Sequence, residues 1–195
     1  MPLKVAISGC AGIGKTTLAR DLAKHFDVAL IDETYECFFN ENGSFISSQK
    51  LLQQRIFDVL HDKHKCEETA GSFISDRCPI DLFNLWLSRG YAKNQKRTLK
   101  LSQYCRDYLN KYDYVIVLPW GSIPLQQIKD NDDSRKRVMN LWIQFHNHSV
   151  IIGLCQQWVP STKLLPVSGN IKSHKERLEL VIKLLEKQAH SIKFQ

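Results

Sequence analysis

The run Gly9-Cys10-Ala11-Gly12-Ile13-Gly14-Lys15-Thr16 constrains the fold more than any other part of the chain. It satisfies G-x-x-x-x-G-K-S/T and stands between the apolar residues 3–8 and a helical repeat of Leu18, Ala19, Leu22, Ala23 and Phe26. That order predicts a strand, a tight loop and an amphipathic helix. Glycines let the backbone curl so that successive N–H groups point inward, and the helix N-terminus adds partial positive charge, so the loop suits the phosphates of a nucleotide. Lys15 is placed to neutralise the β- and γ-phosphates, and the Thr16 hydroxyl to ligate Mg²⁺. The expected cofactors are therefore ATP and Mg²⁺, cradled by Gly9 to Gly14, Lys15, Thr16 and Thr17. Cys10, Ala11 and Ile13 read as residues the loop tolerates, and Cys10 is not read as a nucleophile.

Four more short apolar runs, at 28–31, 72–75, 114–118 and 163–167, predict further strands. Helical stripes separate them. The first is Leu52, Ile56, Val59 and Leu60; the second, opened by Pro79 and closed by Gly90, is apolar nearly all round from Ile80 to Leu87. Val138, Leu141, Trp142, Phe145 and Ile152 mark a long helix, and Leu178, Val181, Ile182 and Leu185 a closing one. Parallel strands need crossovers that helices supply, so the expected class is α/β: a three-layer P-loop NTPase fold with a five-stranded parallel sheet covered on both faces. With 195 residues, 43% hydrophobic, and no linker or repeat, the chain is expected to form a single domain over 1–195.

Lys and Arg total 27 against 20 Asp and Glu, and the net charge of +7 favours phosphates and other polyanions. Six cysteines without a C-x-x-C pair read as free thiols of a reducing compartment, the cytoplasm, or the host cytoplasm for a viral source. No apolar run approaches the roughly 20 residues that span a bilayer, and the start is too short for a signal peptide, so no membrane partner is expected. A homodimer stays open as the assembly state.

A phosphate loop of this kind takes an acidic partner for its metal shell from the end of a neighbouring strand. Asp76 fits, because it closes Phe73-Ile74-Ser75, whereas residues 114–118 run into Pro119 without a carboxylate. The plain alternative for Asp76 is an N-cap ahead of Pro79. Gly9 to Thr17 together with Asp76-Arg77 resembles the nucleoside and nucleotide kinases of the P-loop superfamily, in particular the thymidylate-kinase-like group and its nicotinamide-riboside-kinase-like relatives. The resemblance implies transfer of the ATP γ-phosphoryl group to a hydroxyl or phosphate of a nucleoside or nucleotide. It implies that an acid after the second strand, Glu33 or Asp32, works near the acceptor hydroxyl and that Arg77 holds acceptor or donor phosphate. It also implies a basic lid around 124–140 that brings Arg135 and Arg137 to the transferring group. Such cations are what an in-line phosphoryl transfer needs around its equatorial oxygens. For Asp32 and Glu33 the alternative is a strand-ending turn, and for the two arginines a solvated helix start. Ala11 replaces the acid that thymidylate kinases usually carry in the loop, and Cys78-Pro79-Ile80-Asp81 replaces their aromatic continuation, which is closer to the riboside-kinase-like relatives.

From Arg89 to Lys111 seven cations face the single acid Asp107, with Tyr91, Tyr104 and Tyr108 interleaved. One reading is a surface that tracks a nucleic-acid backbone while rings stack on bases. Phage kinases that phosphorylate hydroxymethyluracil within DNA resemble thymidylate kinases and suit that pattern. The other is an amphipathic helix with Leu99, Leu101, Tyr104, Tyr108 and Leu109 inward. Pro166 to Asn170 is either the loop that passes the adenine in relatives or a plain strand-to-helix turn. His146 and His148 have no third ligand at metal spacing. The competing function is a nucleotide-hydrolysing switch, although no Asn-Lys-x-Asp guanine signature occurs.

Overall fold

Five parallel strands form one sheet in the order β2-β3-β1-β4-β5, with β1 at Lys4–Ser8, β2 at Ala29–Ile31, β3 at Phe73–Asp76, β4 at Tyr114–Val117 and β5 at Leu164–Pro166. The expected α/β class and three-layer architecture are what the chain adopts. This computed structural model describes residues 3–32, 35–41, 43–121, 140–171 and 173–192. Its helices are α1 (Lys15–Phe26), α2 (Gln49–Ala70), α3 (Pro79–Ser88), α4 (Gln95–Leu109), α5 (Leu141–Trp158) and α6 (His174–Ile192), with 3₁₀ turns at Tyr35–Phe38 and Tyr91–Lys93.

Side chains alternate across the sheet, and the alternation builds two cores. Val5 and Ile7 of β1 with Tyr114 and Ile116 of β4 meet Leu18, Ala19 and Leu22 of α1 and Val181 and Leu185 of α6. On the opposite face Ala6, Phe73, Val115 and Val117 meet Ile80 of α3, Tyr108 and Leu109 of α4, and Ile151 and Cys155 of α5. A third cluster lies beyond this layer, where Leu52, Ile56 and Leu60 of α2 pack on Leu82, Phe83 and Trp86 of α3 and Leu101 and Cys105 of α4. Fully burying each such Leu, Ile or Phe contributes about 1.5–3 kcal/mol, which is why the stripes rather than intrinsic propensity hold these helices.

The register decides where the chemistry sits. β1 runs beside β3 from Lys4↔Phe73 to Ile7↔Asp76, and beside β4 from Val5↔Tyr114 to Ser8↔Val117. The chain therefore leaves β1 at Ser8 with the end of β3 on one side and the end of β4 on the other. The connection from β1 goes outward to β2, and β4 lies on the other side of β1, so the loop after β1 opens at the point where strand order reverses. Ligands of open α/β sheets bind there, outside the carboxyl ends of the strands.

One expectation is corrected by packing: in the amphipathic-helix reading Leu99 points inward, yet it is 69% exposed, because α4 turns Leu101, Cys105, Tyr108 and Leu109 to its neighbours instead. The expected long helix is α5, which docks through Gln144, Ile151 and Cys155 while Leu141, Trp142 and Phe145 are exposed; Val138 lies outside the described residues. The alternative role for Asp76 as the cap of α3 does not hold: Cys78 is its N-cap, and Asp81 closes a capping box on it. All six cysteines are free. Among the described residues no helix is long and apolar enough to cross a membrane.

Candidate active site

The loop after β1 takes the form its glycines allow. Gly9, Gly12 and Gly14 have φ of 143°, 77° and 84°, values that side chains disfavour, and Gly14 in the left-handed region is the N-cap of α1. At Gly9 an added Cβ would stand 2.5 Å from Ile13 Cδ1 and 3.1 Å from the Leu118 carbonyl oxygen. Ile13 itself is buried in the α1 core, so the residue that is variable in the motif anchors the loop from beneath. Arg177 of α6 is fully buried and donates from Nη1 to the Ile13 carbonyl at 2.7 Å.

Lys15 opens α1 and is 4% exposed, its Nζ donating to the Cys10 carbonyl at 2.6 Å. The ammonium thus bridges the loop it belongs to. Burial first, and the Arg77 charge second, bring its pKa down from the ordinary lysine value to about 8. A bound polyphosphate favours the charged form, so nucleotide binding raises that pKa and takes up a proton wherever the free site has begun to lose one. Calorimetry of ATP binding at about pH 8.5, in buffers of different ionisation enthalpy, is expected to show this uptake, with affinity falling as pH rises from about 8. Equal heats in all buffers at that pH would mean that Lys15 does not meet the phosphates.

The Thr16 hydroxyl, exposed at the loop mouth, donates to Asp76 Oδ2 at 2.6 Å. The other carboxylate oxygen, Oδ1, is buried and has no hydrogen-bond partner among the described residues. An orphaned buried carboxylate oxygen beside a hydroxyl is the donor set Mg²⁺ prefers, since that ion takes one or two protein oxygens and completes its shell with phosphate and water. Thr16 and Asp76 would hold it, and a bound metal would neutralise charge on the β- and γ-oxygens.

The end of β3 is set by buried polar contacts that the sequence did not reveal. Lys63 of α2 donates from Nζ to the Asp76 carbonyl at 3.0 Å, and Ser75 Oγ donates to Glu67 Oε1 at 2.6 Å. Tyr108 and Tyr112 also donate to the Glu67 carboxylate, and burial next to this acid raises both phenol pKa values. Arg77 follows in the left-handed region at φ 75°, which costs a residue with a side chain about 1–2 kcal/mol. Its guanidinium lies 4.5 Å from the Tyr35 ring centroid and its Nη1 is 3.7 Å from Asp81 Oδ1.

Structure thus brings together Lys15, Thr16, Asp76 and Arg77 at one end of the sheet. Asp32 is exposed just past the edge strand β2, at the same end, and no hydrogen bond among the described residues joins it to the loop. Glu33, Arg135, Arg137 and the lid segment up to 139 lie outside the described residues. A Cβ added at Gly169, in the loop after β5, would meet Pro119 Cβ at an ordinary 3.7 Å, and Gly169 has no φ that requires glycine. In the basic segment Tyr91 and Tyr108 are buried and Tyr104 bonds His64, whereas Lys93, Lys96, Arg97, Lys100 and Arg106 are exposed. Its cations, not its rings, face outward. Asp81, Lys63, Glu67 and Arg177 are the residues that sequence reasoning missed. Only Asp81 carried a usable sign, since Cys78-Pro79-Ile80-Asp81 has the spacing of a capping box.

A family profile described as an AAA domain matches residues 4–173. Solved structures share the fold at low identity. Deoxyadenosine kinase from M. mycoides with bound dCTP is 17% identical at a TM-score of 0.61, covering 95% of this chain and 100% of that one. Thymidylate kinase from Candida albicans is 14% identical at 0.69, covering 96% and 93%. The NadR protein in complex with NR is 17% identical at 0.68, and there 96% of this chain spans 51% of the other. No curated protein sequence matches.

Proposed function

Since the chain belongs to the AAA-domain family and has the fold of P-loop nucleoside and nucleotide kinases, we propose that it is a phosphotransferase acting on a nucleoside or nucleotide with ATP as donor. The observation that carries this reading is the convergence of Lys15, the Thr16–Asp76 pair with its unpartnered Oδ1, and Arg77 on the mouth of one phosphate loop. Loop amides and Lys15 bind and orient the donor tail. Arg77 stabilises charge on the phosphoryl group as it moves to the acceptor oxygen, and Asp32 or Glu33 orients the acceptor or takes its proton. By the family resemblance, Arg135 and Arg137 are assigned to neutralising charge on the transferring group. ATP and Mg²⁺ are the cofactors, as the loop and the kinase relatives support.

Labelled ATP offered with nucleosides, nucleoside monophosphates and DNA bearing hydroxymethylated bases tests this directly. Label is expected on a nucleoside or monophosphate. Hydrolysis at a rate that no acceptor changes would replace the kinase by a nucleotide-hydrolysing switch. Transfer to the DNA arm, lost as salt rises, would identify the acceptor as a base within DNA; the exposed cations of α4 support that second reading.

A further inference from the structure

Resting on the phosphotransferase reading, we propose that Asp81 is a positioning residue that fixes Arg77 relative to the phosphate loop. Asp81 lies in the first turn of α3 and is 3% exposed. Its Oδ2 accepts from the Cys78 N–H at 3.0 Å and from Ser8 Oγ at 2.8 Å. Its Oδ1 accepts from the Gly9 N–H at 3.4 Å and faces Arg77 Nη1 at 3.7 Å. Capping α3 needs only the Cys78 contact. The other three tie the start of the phosphate loop to the arginine that follows the metal-side acid, across some 70 residues of sequence.

Buried in low dielectric, one carboxylate with this reach attracts the guanidinium strongly, and the Tyr35 ring limits Arg77 on a second side. Arg77 keeps a strained φ of 75°, a conformation that persists only where the surrounding contacts hold it. Transition-state stabilisation depends on placing charge within fractions of an ångström, so the spacing between loop and guanidinium is what Asp81 controls. Asp81→Asn retains an acceptor for Cys78 and Ser8 but presents an amide NH₂ to Gly9 and Arg77, which can neither accept nor attract.

The test is a double-mutant cycle of Asp81→Asn with Arg77→Ala, with melting temperature recorded for all four proteins. Asp81→Asn is expected to lower kcat about 10- to 100-fold in the parent and less than about threefold when Arg77 is already alanine. Equal losses in both backgrounds would make Asp81 merely structural and overturn the proposal. If Asp81→Asn does not fold, Asp81→Glu keeps the charge, shifts it by one methylene and enters the same cycle. Arginine side-chain NMR supplies a readout that needs no turnover: the Arg77 guanidinium is expected to be ordered in the parent and averaged in Asp81→Asn. A parent that transfers no phosphate leaves that spectral result standing and sinks the kinase reading alone; an unchanged Arg77 signal sinks the positioning role.

Discussion

Lys15→Met lowers phosphoryl transfer by about 10²–10³-fold or more, the loss expected when one preorganised cation or donor is taken from a developing negative charge. Methionine keeps the aliphatic stem that α1 buries, so the fold survives. The protein without nucleotide should even gain stability. Lysine at about 8 in the folded protein lies below its ordinary value, so the unfolded chain binds the extra proton more tightly than the native one. That cost, roughly 3 kcal/mol, is fully present at neutral pH, where both states are charged, and fades as pH rises from about 8 toward the ordinary lysine value. Lys15→Met removes it at every pH. Turnover with labelled ATP and thermal melting at pH 7 and pH 9 check both halves. A methionine protein that transfers phosphate at the parent rate would refute the assignment, and one that melts lower at pH 7 would refute the cost of burial.

Asp76→Asn is expected to reduce transfer about 10²-fold and to move half-maximal activity to higher Mg²⁺. Asparagine can still accept from Thr16, so the hydroxyl and the loop stay in place. What goes is the negative charge on a buried oxygen that no donor among the described residues satisfies. Retaining such an atom is unfavourable unless something pairs with it, and a divalent cation held with Thr16 is the partner we propose. A Mg²⁺ titration that superimposes on the parent curve would show that Asp76 serves the fold and not the metal.

The readable parts of this protein are local. Gly9 to Thr16 is contiguous, its positive φ values need glycine wherever it occurs, and no distant residue is required to recognise it. Strands β1, β3 and β4 are buried on both faces, so each carries a short apolar stretch, Val5 to Ile7, Phe73-Ile74 and Tyr114 to Val117, and Asp76 is visible as the acid that ends one strand. Burial in the first turns of α4 and α5 is not legible in this way, because an apolar residue at a fitting position is buried only if a neighbour is there to cover it. Leu99 and Trp142 fit a stripe and still stay largely exposed, 69% and 72%. The tyrosines of the basic segment show the reverse: a row that looked suited to stacking on bases faces Glu67, His64 and the core.

Fold class, strand sites and the phosphate loop follow from periodicity and backbone sterics, which act between residues near one another in the chain. Which side chains steady that loop was decided by the assembled sheet. Register places Asp76 beside Ile7, packing sets Asp81 under Ser8 and Gly9, and α6 delivers Arg177 to Ile13 from more than 160 positions away. Those contacts form only when the whole chain has collapsed, because a buried charge is tolerated solely where geometry supplies its partner.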